Sequence, residues 1–257
     1  MLQLNLEDKV AIITGGSEGL GRAAAQKLAE EGARVAICAR RKDVLENAAA
    51  AIKAKTGRDV LAVPTDVTRP EDIKKLVDTV VARWGGVDIV LNNAGISASS
   101  GLLDVDDAAW QFDIDLKLMA AVRLCRLVVP IMKERGGGRI INVTNLGGKS
   151  PAAKGLPTSV TRAAGINLTK SMSKEYAADR ILVNTICIGL VKSAQWERRA
   201  KGGDVDAYYR EVAPRVPIGR VGEAHEFADL VAFLASDRAA FITGTAINFD
   251  GGASAVV

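Results

Sequence analysis

The sequence predicts an α/β fold, a single-domain doubly wound parallel sheet with helices on both faces. Short runs that are apolar throughout, such as residues 10–13 and 35–39, alternate with amphipathic stretches of helical period. Strands apolar at every position belong in a sheet covered on both sides. The first run feeds a glycine-rich turn, Thr14-Gly15-Gly16-Ser17-Glu18-Gly19-Leu20-Gly21, that leads directly into a helical stretch. No linker or low-complexity segment divides the 257 residues, a length within the range of one α/β domain.

Each element follows from its local pattern. Residues 10–13 form the first strand and 22–31 the first helix. A second strand at 34–39, an alanine-rich helix at 42–55 and a third strand at 59–64 continue the alternation. Thr68-Arg69-Pro70-Glu71 reads as a helix start, with Thr68 as the cap and Pro at the second helical position. That helix runs to about residue 83. The fourth strand (87–91), a long helix (107–133), the fifth strand (139–143), a second long helix (158–178) and the sixth strand (181–187) follow. Residues 193–214 are polar and irregular, with a helix near 204–212, and suit a segment that covers a substrate. A helix at 223–235 and a strand at 246–249 close the chain.

Composition narrows the function classes. Hydrophobic residues make up 48% and aromatics 4%, so Ala, Val, Leu and Ile must build the core. Thirty-four Lys and Arg against 30 Asp and Glu give a net charge of +4, with both signs interspersed and no basic block for nucleic acid. No run of 18 apolar residues exists to span a membrane. The N-terminal residues lack a basic region and an apolar core, so no signal peptide is expected. Cys38, Cys125 and Cys187 are scattered in apolar runs, which reads as buried reduced thiols in a cytoplasmic protein. The single histidine, His225, has no ligand cluster around it, and no metal site is expected.

The glycine-rich turn carries chemistry. A strand that enters a helix through glycines presents free backbone N–H groups and the positive end of the helix dipole at one point, which suits a phosphate. Glycine lets a pyrophosphate approach where a side chain would block it. In a doubly wound sheet, ligands bind beyond the carboxyl ends of the strands. Asp66-Val67, Asn92-Asn93-Ala94-Gly95 and Thr144-Asn145-Leu146-Gly147-Gly148 all fall at that edge.

Together these motifs resemble the short-chain dehydrogenase/reductase family in its 250-residue form. The likeness also takes in Trp110, Asn184, Gly189-x-x-x-Ser193 and the tail from Pro217 to Gly252, so it spans essentially the whole chain. It implies a Rossmann fold holding a nicotinamide dinucleotide. Gly15, Ser17, Gly19, Leu20 and Gly21 would hold the pyrophosphate, and Asp66 and Val67 the adenine. Asn93, Ala94 and Gly95 would meet the adenine-side ribose and backbone, with Arg162, Gly189 and Val191 also on the cofactor. The second strand ends Cys38-Ala39-Arg40-Arg41 without the carboxylate that bonds a ribose 2′-OH. Arg40 and Arg41 therefore favour NADP(H), with NAD(H) as the alternative. Glu18 stands where NADP members often carry a base. The resemblance also implies a homotetramer or homodimer, with the two long helices as one interface.

One part of the family pattern is missing. Redox members use a Ser, a Tyr with a Lys four positions later, and an Asn in the long helix seven after its Trp. Those places hold Asn145, Thr158, Arg162 and Lys117. A Thr hydroxyl does not ionise near neutral pH, and Arg keeps its charge without shuttling protons. A lysine beside another cation and partly desolvated has a lowered pKa. The expectation is a rebuilt site in which Lys117 is the acid/base, Arg162 fixes an anionic group of a small-molecule substrate and Asn145 polarises a carbonyl. Tyr208, Tyr209 and Lys201 are further proton donors in the covering segment. The alternatives are Lys117 snorkelling to solvent, a lyase- or hydratase-like enzyme with bound dinucleotide, and a catalytically silent binding homologue.

Overall fold

The computed structural model describes residues 3–193 and 204–257. Its strands are β1 (Val10–Thr14), β2 (Arg34–Ala39), β3 (Val60–Pro64), β4 (Ile89–Asn92), β5 (Ser99–Ser100), β6 (Gly138–Asn145), β7 (Leu156–Pro157), β8 (Ile181–Ile188) and β9 (Ala246–Phe249). Seven of them form one parallel sheet in the order β3-β2-β1-β4-β6-β8-β9. From β1 the chain winds outward through β2 and β3, then returns to β4 on the other side. That reversal opens a crevice between the carboxyl ends of β1 and β4. The short antiparallel ribbon of β5 and β7, absent from the sequence reading, lies outside this sheet.

The helices are α1 (Gly19–Glu30), α2 (Lys42–Thr56), α3 (Pro70–Trp84), α4 (Asp107–Ile114), α5 (Ala120–Glu134), α6 (Thr158–Glu175), α7 (Val205–Val212) and α8 (Ala224–Ala235). Alternation along the buried strands divides them between two layers. Ala11, Ile13, Val35 and Ile37 pack with α1, α2 and α8 through Leu28, Leu45, Phe227 and Val231. Val10, Ile12, Ala36 and Cys38 face the opposite way, against Leu76 and Val80 of α3 and Leu124 and Val128 of α5. Each buried Val, Leu, Ile or Phe among them contributes about 1.5–3 kcal/mol. Helices α2 and α3 both stop at a left-handed residue, Gly57 (φ 73°) and Gly85 (φ 77°), a conformation that a Cβ disfavours.

Three local expectations change. Arg69 occupies the cap position of α3 and Pro70 opens the helix, because Thr68 is drawn into a turn on Asp66. The Asp66 Oδ1 accepts from both the Thr68 N–H (3.0 Å) and its hydroxyl (2.8 Å). The long helix at 107–133 is interrupted by a π segment, Asp115–Met119, between α4 and α5. The helix expected to reach 178 ends at Glu175, and a tight turn over Ala177–Asp179 carries the chain into β8.

Candidate active site

A cleft of about 950 Å³ lies beyond the carboxyl ends of the central strands. Gly15, Ser17, Gly19, Leu20, Arg40, Arg41, Asp66, Val67, Asn93, Ala94, Gly95, Arg162, Gly189 and Val191 all line it. Gly21 does not line the cleft. It supports the turn from below, where a Cβ would fall on the Gly15 carbonyl and 2.6 Å from Asn93 Nδ2. Gly15 and Gly19 adopt φ of +66° and +53°, so the turn needs glycine at both. No side chain caps α1 and no acid occupies its first turn. Its leading N–H groups and positive dipole end remain for an anion. These features fit a dinucleotide pyrophosphate.

Asn93 has a structural task that its motif did not disclose. Its Nδ2 donates to the Thr14 (2.9 Å) and Gly15 (3.2 Å) carbonyls, while Thr14 Oγ1 accepts from the N–H groups of Asn93 (2.9 Å) and Ala94 (3.0 Å). This stitches the end of β1 to the loop after β4 and holds the glycine turn in place. At the cleft's outer wall, Arg41 forms an ion pair with Glu18 at 2.7 Å, and Arg40 is exposed. Burial pushes the Cys38 thiol beside this wall up to about 12, which makes it inert.

Four residues from three elements build the inner end. Asn145 closes β6, Thr158 opens α6, Arg162 lies one turn further along α6, and Lys117 comes from the π segment. Arg162 Nη1 donates to the Val143 carbonyl (2.8 Å), and a Cβ on Gly95 would come within 2.5 Å of its Nη2. Glycine at 95 therefore makes room for the guanidinium. Burial lowers Arg162 to about 10, against the opposing pull of Asp113. Among the described residues, Arg162 Nε and Asn145 Oδ1 are buried without a protein partner. An orphaned donor and acceptor at the end of an open cleft mark where a polar ligand fits.

Lys117 is neither on the cleft wall nor in solvent. Its side chain is 0% exposed, which rules out snorkelling. Nζ donates to Asp113 Oδ1 and, at 2.7 Å, to Thr158 Oγ1, so the Thr158 hydroxyl stands between the ammonium and the cleft. Lys117, expected from the sequence to act directly as the acid/base, does not itself reach the cleft, whereas its partner Thr158 lines it. Burial brings Lys117 down to about 8; the Asp113 hydrogen bond opposes this and the Arg162 charge adds to it. Asp113 was missed in the sequence. It is 1% exposed, and its second oxygen accepts from Thr161 Oγ1 at 2.7 Å. Its spacing of four from Lys117 on one helical face was the available signal.

Tyr208 and Tyr209 stand apart from the cleft. Tyr209 is buried, its hydroxyl accepts from the Ser193 N–H (3.2 Å), and neither it nor Tyr208 lines the cleft. Lys201 lies outside the described residues. The three thiols are buried and unpaired, and His225 is exposed. Among the described residues no group of three or more His, Cys, Asp or Glu could hold a metal ion, and no helix is long and apolar enough to cross a membrane.

Comparison with known proteins agrees with this architecture. A family model described as enoyl-(acyl carrier protein) reductase matches residues 15–254. Dehydrogenase/reductase SDR family member 4 of Oryctolagus cuniculus is 34% identical over 96% of this chain and 94% of its own length. The 3-oxoacyl-[acyl-carrier-protein] reductase FabG of Escherichia coli K12 is 35% identical over 97% of this chain and 98% of its own. Among solved structures, L-sorbose reductase from Gluconobacter frateurii, complexed with NADPH and L-sorbose, superposes with a TM-score of 0.95 at 38% identity, covering all of both chains. With the glycine cradle at the sheet's reversal point and relatives matched along nearly their whole length, the chain belongs to the short-chain dehydrogenase/reductase family.

Proposed function

We propose that this protein is an NADP(H)-dependent oxidoreductase that interconverts a small carbonyl compound and its alcohol, using Lys117, Asn145, Thr158 and Arg162 in place of a Ser-Tyr-Lys set. The observation that carries the reading is the continuity of one cleft. It joins an intact dinucleotide cradle at one end to a buried, under-bonded polar floor at the other. Gly15, Ser17, Gly19 and Leu20 would hold the pyrophosphate, with Asp66 and Val67 at the adenine. Arg40, and Arg41 once released from Glu18, would meet a 2′-phosphate. The bound nicotinamide would supply hydride chemistry. The chain's own residues orient the substrate and handle the proton. Arg162, which makes no direct ion pair with a carboxylate among the described residues, favours an anionic group on the substrate or the ribose hydroxyls beside it.

The solved relative that holds NADPH supports the cofactor reading. The long helical run from α4 to α5, together with α6, is the proposed interface of a homotetramer or homodimer. The segment near 193–214, of which 194–203 lies outside the described residues, is the proposed substrate cover, and three buried thiols suit a cytoplasmic setting. The test is NADPH consumption, followed by nicotinamide absorbance, with ketoses, 3-oxo esters and 2-oxo acids. A net absorbance change with any of them supports an oxidoreductase. Product without such a change would instead make it a lyase or hydratase, and cofactor binding with no product a silent homologue.

A further inference from the structure

The hydrogen-bond directions at Thr158 say more than its chemistry alone. A hydroxyl has two acceptor lone pairs and one proton to give. Thr158 Oγ1 accepts from Lys117 Nζ at 2.7 Å and from the Ala98 N–H at 3.1 Å. With both acceptor sites taken from behind, its own proton points to the remaining side, and Thr158 lines the cleft. Behind it, Lys117 is held by Asp113, which is itself anchored through Thr161. The chain Thr161–Asp113–Lys117–Thr158 is buried at every member and ends at the cleft.

We infer that Thr158 is a proton-relay hydroxyl between the substrate oxygen and Lys117, and that Asp113 is a positioning residue that holds Lys117 in line. The inference rests on the oxidoreductase reading. In reduction, the substrate carbon receives a hydride, with a dihydronicotinamide as its source. The substrate oxygen takes the Thr158 proton as that O–H bond breaks. Thr158 Oγ1 takes a proton from Lys117 Nζ, so the hydroxyl is restored and the amine is left neutral. Carbonyl, hydride and proton together make the alcohol, and oxidation runs the same steps backwards. Thr158 never needs to exist as an alkoxide, because it gains one proton as it loses another. This removes the objection that a Thr hydroxyl is too weak an acid to act alone.

Two charged groups face Lys117: Asp113 from α4 and Arg162 from α6. They push its proton affinity in opposite directions, so the relay has a predictable pH signature. Reduction needs the ammonium and should fall as pH rises through about 8, and oxidation should rise over the same range. Asp113→Asn removes the group that favours the charged form and should shift that edge to lower pH.

The experiment measures the Lys117 titration by NMR of lysine-labelled protein, NADPH affinity by fluorescence, and turnover with L-sorbose and ethyl acetoacetate, in wild type, Thr158→Val, Thr158→Ser and Asp113→Asn. Thr158→Val is expected to bind NADPH as wild type does and to lose turnover by roughly 100-fold or more, the scale of general acid–base catalysis. Thr158→Ser should recover most of it. Asp113→Asn should lower the Lys117 midpoint and the pH edge of reduction together. Thr161→Val, which keeps the carboxylate and removes only its anchor, serves if Asp113→Asn does not fold, and should weaken turnover without abolishing it. Wild-type turnover that persists in Thr158→Val overturns the relay and leaves the oxidoreductase reading standing. A Lys117 midpoint and pH edge unmoved in the Asp113 variant overturn the role of Asp113. No turnover by wild type with either ketone, or with the wider panel, removes the oxidoreductase reading and the relay with it.

Discussion

Lys117 and Asp113 form an ion pair with side chains 0% and 1% exposed, so neither charge has water as an alternative partner. Lys117→Met leaves Asp113 buried alone and is expected to cost about 3–5 kcal/mol, read from urea unfolding. Replacing both, as Lys117→Met with Asp113→Leu, should recover much of that loss, because two apolar groups of similar volume need no solvation. A double variant as unstable as the single would show that the pair itself stabilises the fold. The pH dependence follows from the lowered Lys117 value. The native state holds this group near 8, while the unfolded chain returns it to 10.5. Between those values the unfolded state binds the extra proton, so this group's contribution favours folding more as pH rises through the window. The slope of stability against pH over that range should be smaller in Lys117→Met.

At the scale of elements, the turn before α1 and the end of β2 meet where the proposed cofactor's 2′-phosphate would lie. Glu18 lies in the glycine turn and holds Arg41 at 2.7 Å, with the two side chains 36% and 59% exposed. An exposed pair of this kind contributes about 0–1 kcal/mol. A doubly charged phosphate competes with it readily, but the acid still repels that phosphate. Glu18→Gln is expected to tighten NADPH binding by roughly threefold to tenfold and leave NADH nearly unchanged, since only the phosphate meets the lost charge. Equal gains for both cofactors in a fluorescence titration would show that Glu18 acts on the turn rather than on the phosphate. Deeper in the same layer, Phe227 of α8 is 0% exposed and meets Phe249 of β9 at 6.0 Å between ring centroids in an edge-on pair. Phe227→Ala should lower stability by about 3–5 kcal/mol in urea melts, and only a small loss would mean that α8 collapses into the cavity.

For the molecule as a whole, the exposed apolar residues bear on assembly. Leu102, Leu103, Phe112 and Val160 are 65%, 97%, 41% and 49% exposed and come from the β5–α4 region and the start of α6. Phe112 belongs to one of the helices proposed as the interface. If copies meet there, Phe112→Asp should halve the assembly, shown by light scattering, and leave the far-ultraviolet circular dichroism unchanged. An unchanged mass would place the interface on other surfaces.

Much of this molecule is legible in its amino-acid sequence. Wholly apolar strands separated by amphipathic helices leave few stable arrangements, and glycines between a strand and a helix leave backbone N–H groups open to a ligand. Local pattern therefore determined the sheet, its layers and nearly all of the cleft wall proposed to hold the cofactor. Helix details were less legible: the π segment at Asp115–Met119 adds no residue type that periodicity registers, and Thr68 was claimed by Asp66 rather than by the helix. The inner site was half legible. Counting along the chain located Lys117, Asn145, Thr158 and Arg162, but not which of them reaches the cleft. Only the tertiary structure set Thr158 in front of Lys117 and Asp113 behind it. That order arises because α4, the π segment and α6 come from distant parts of the sequence and meet in a water-excluding interior. There a hydrogen bond's direction depends on what the whole fold leaves unpaired, and no local stretch of sequence encodes that.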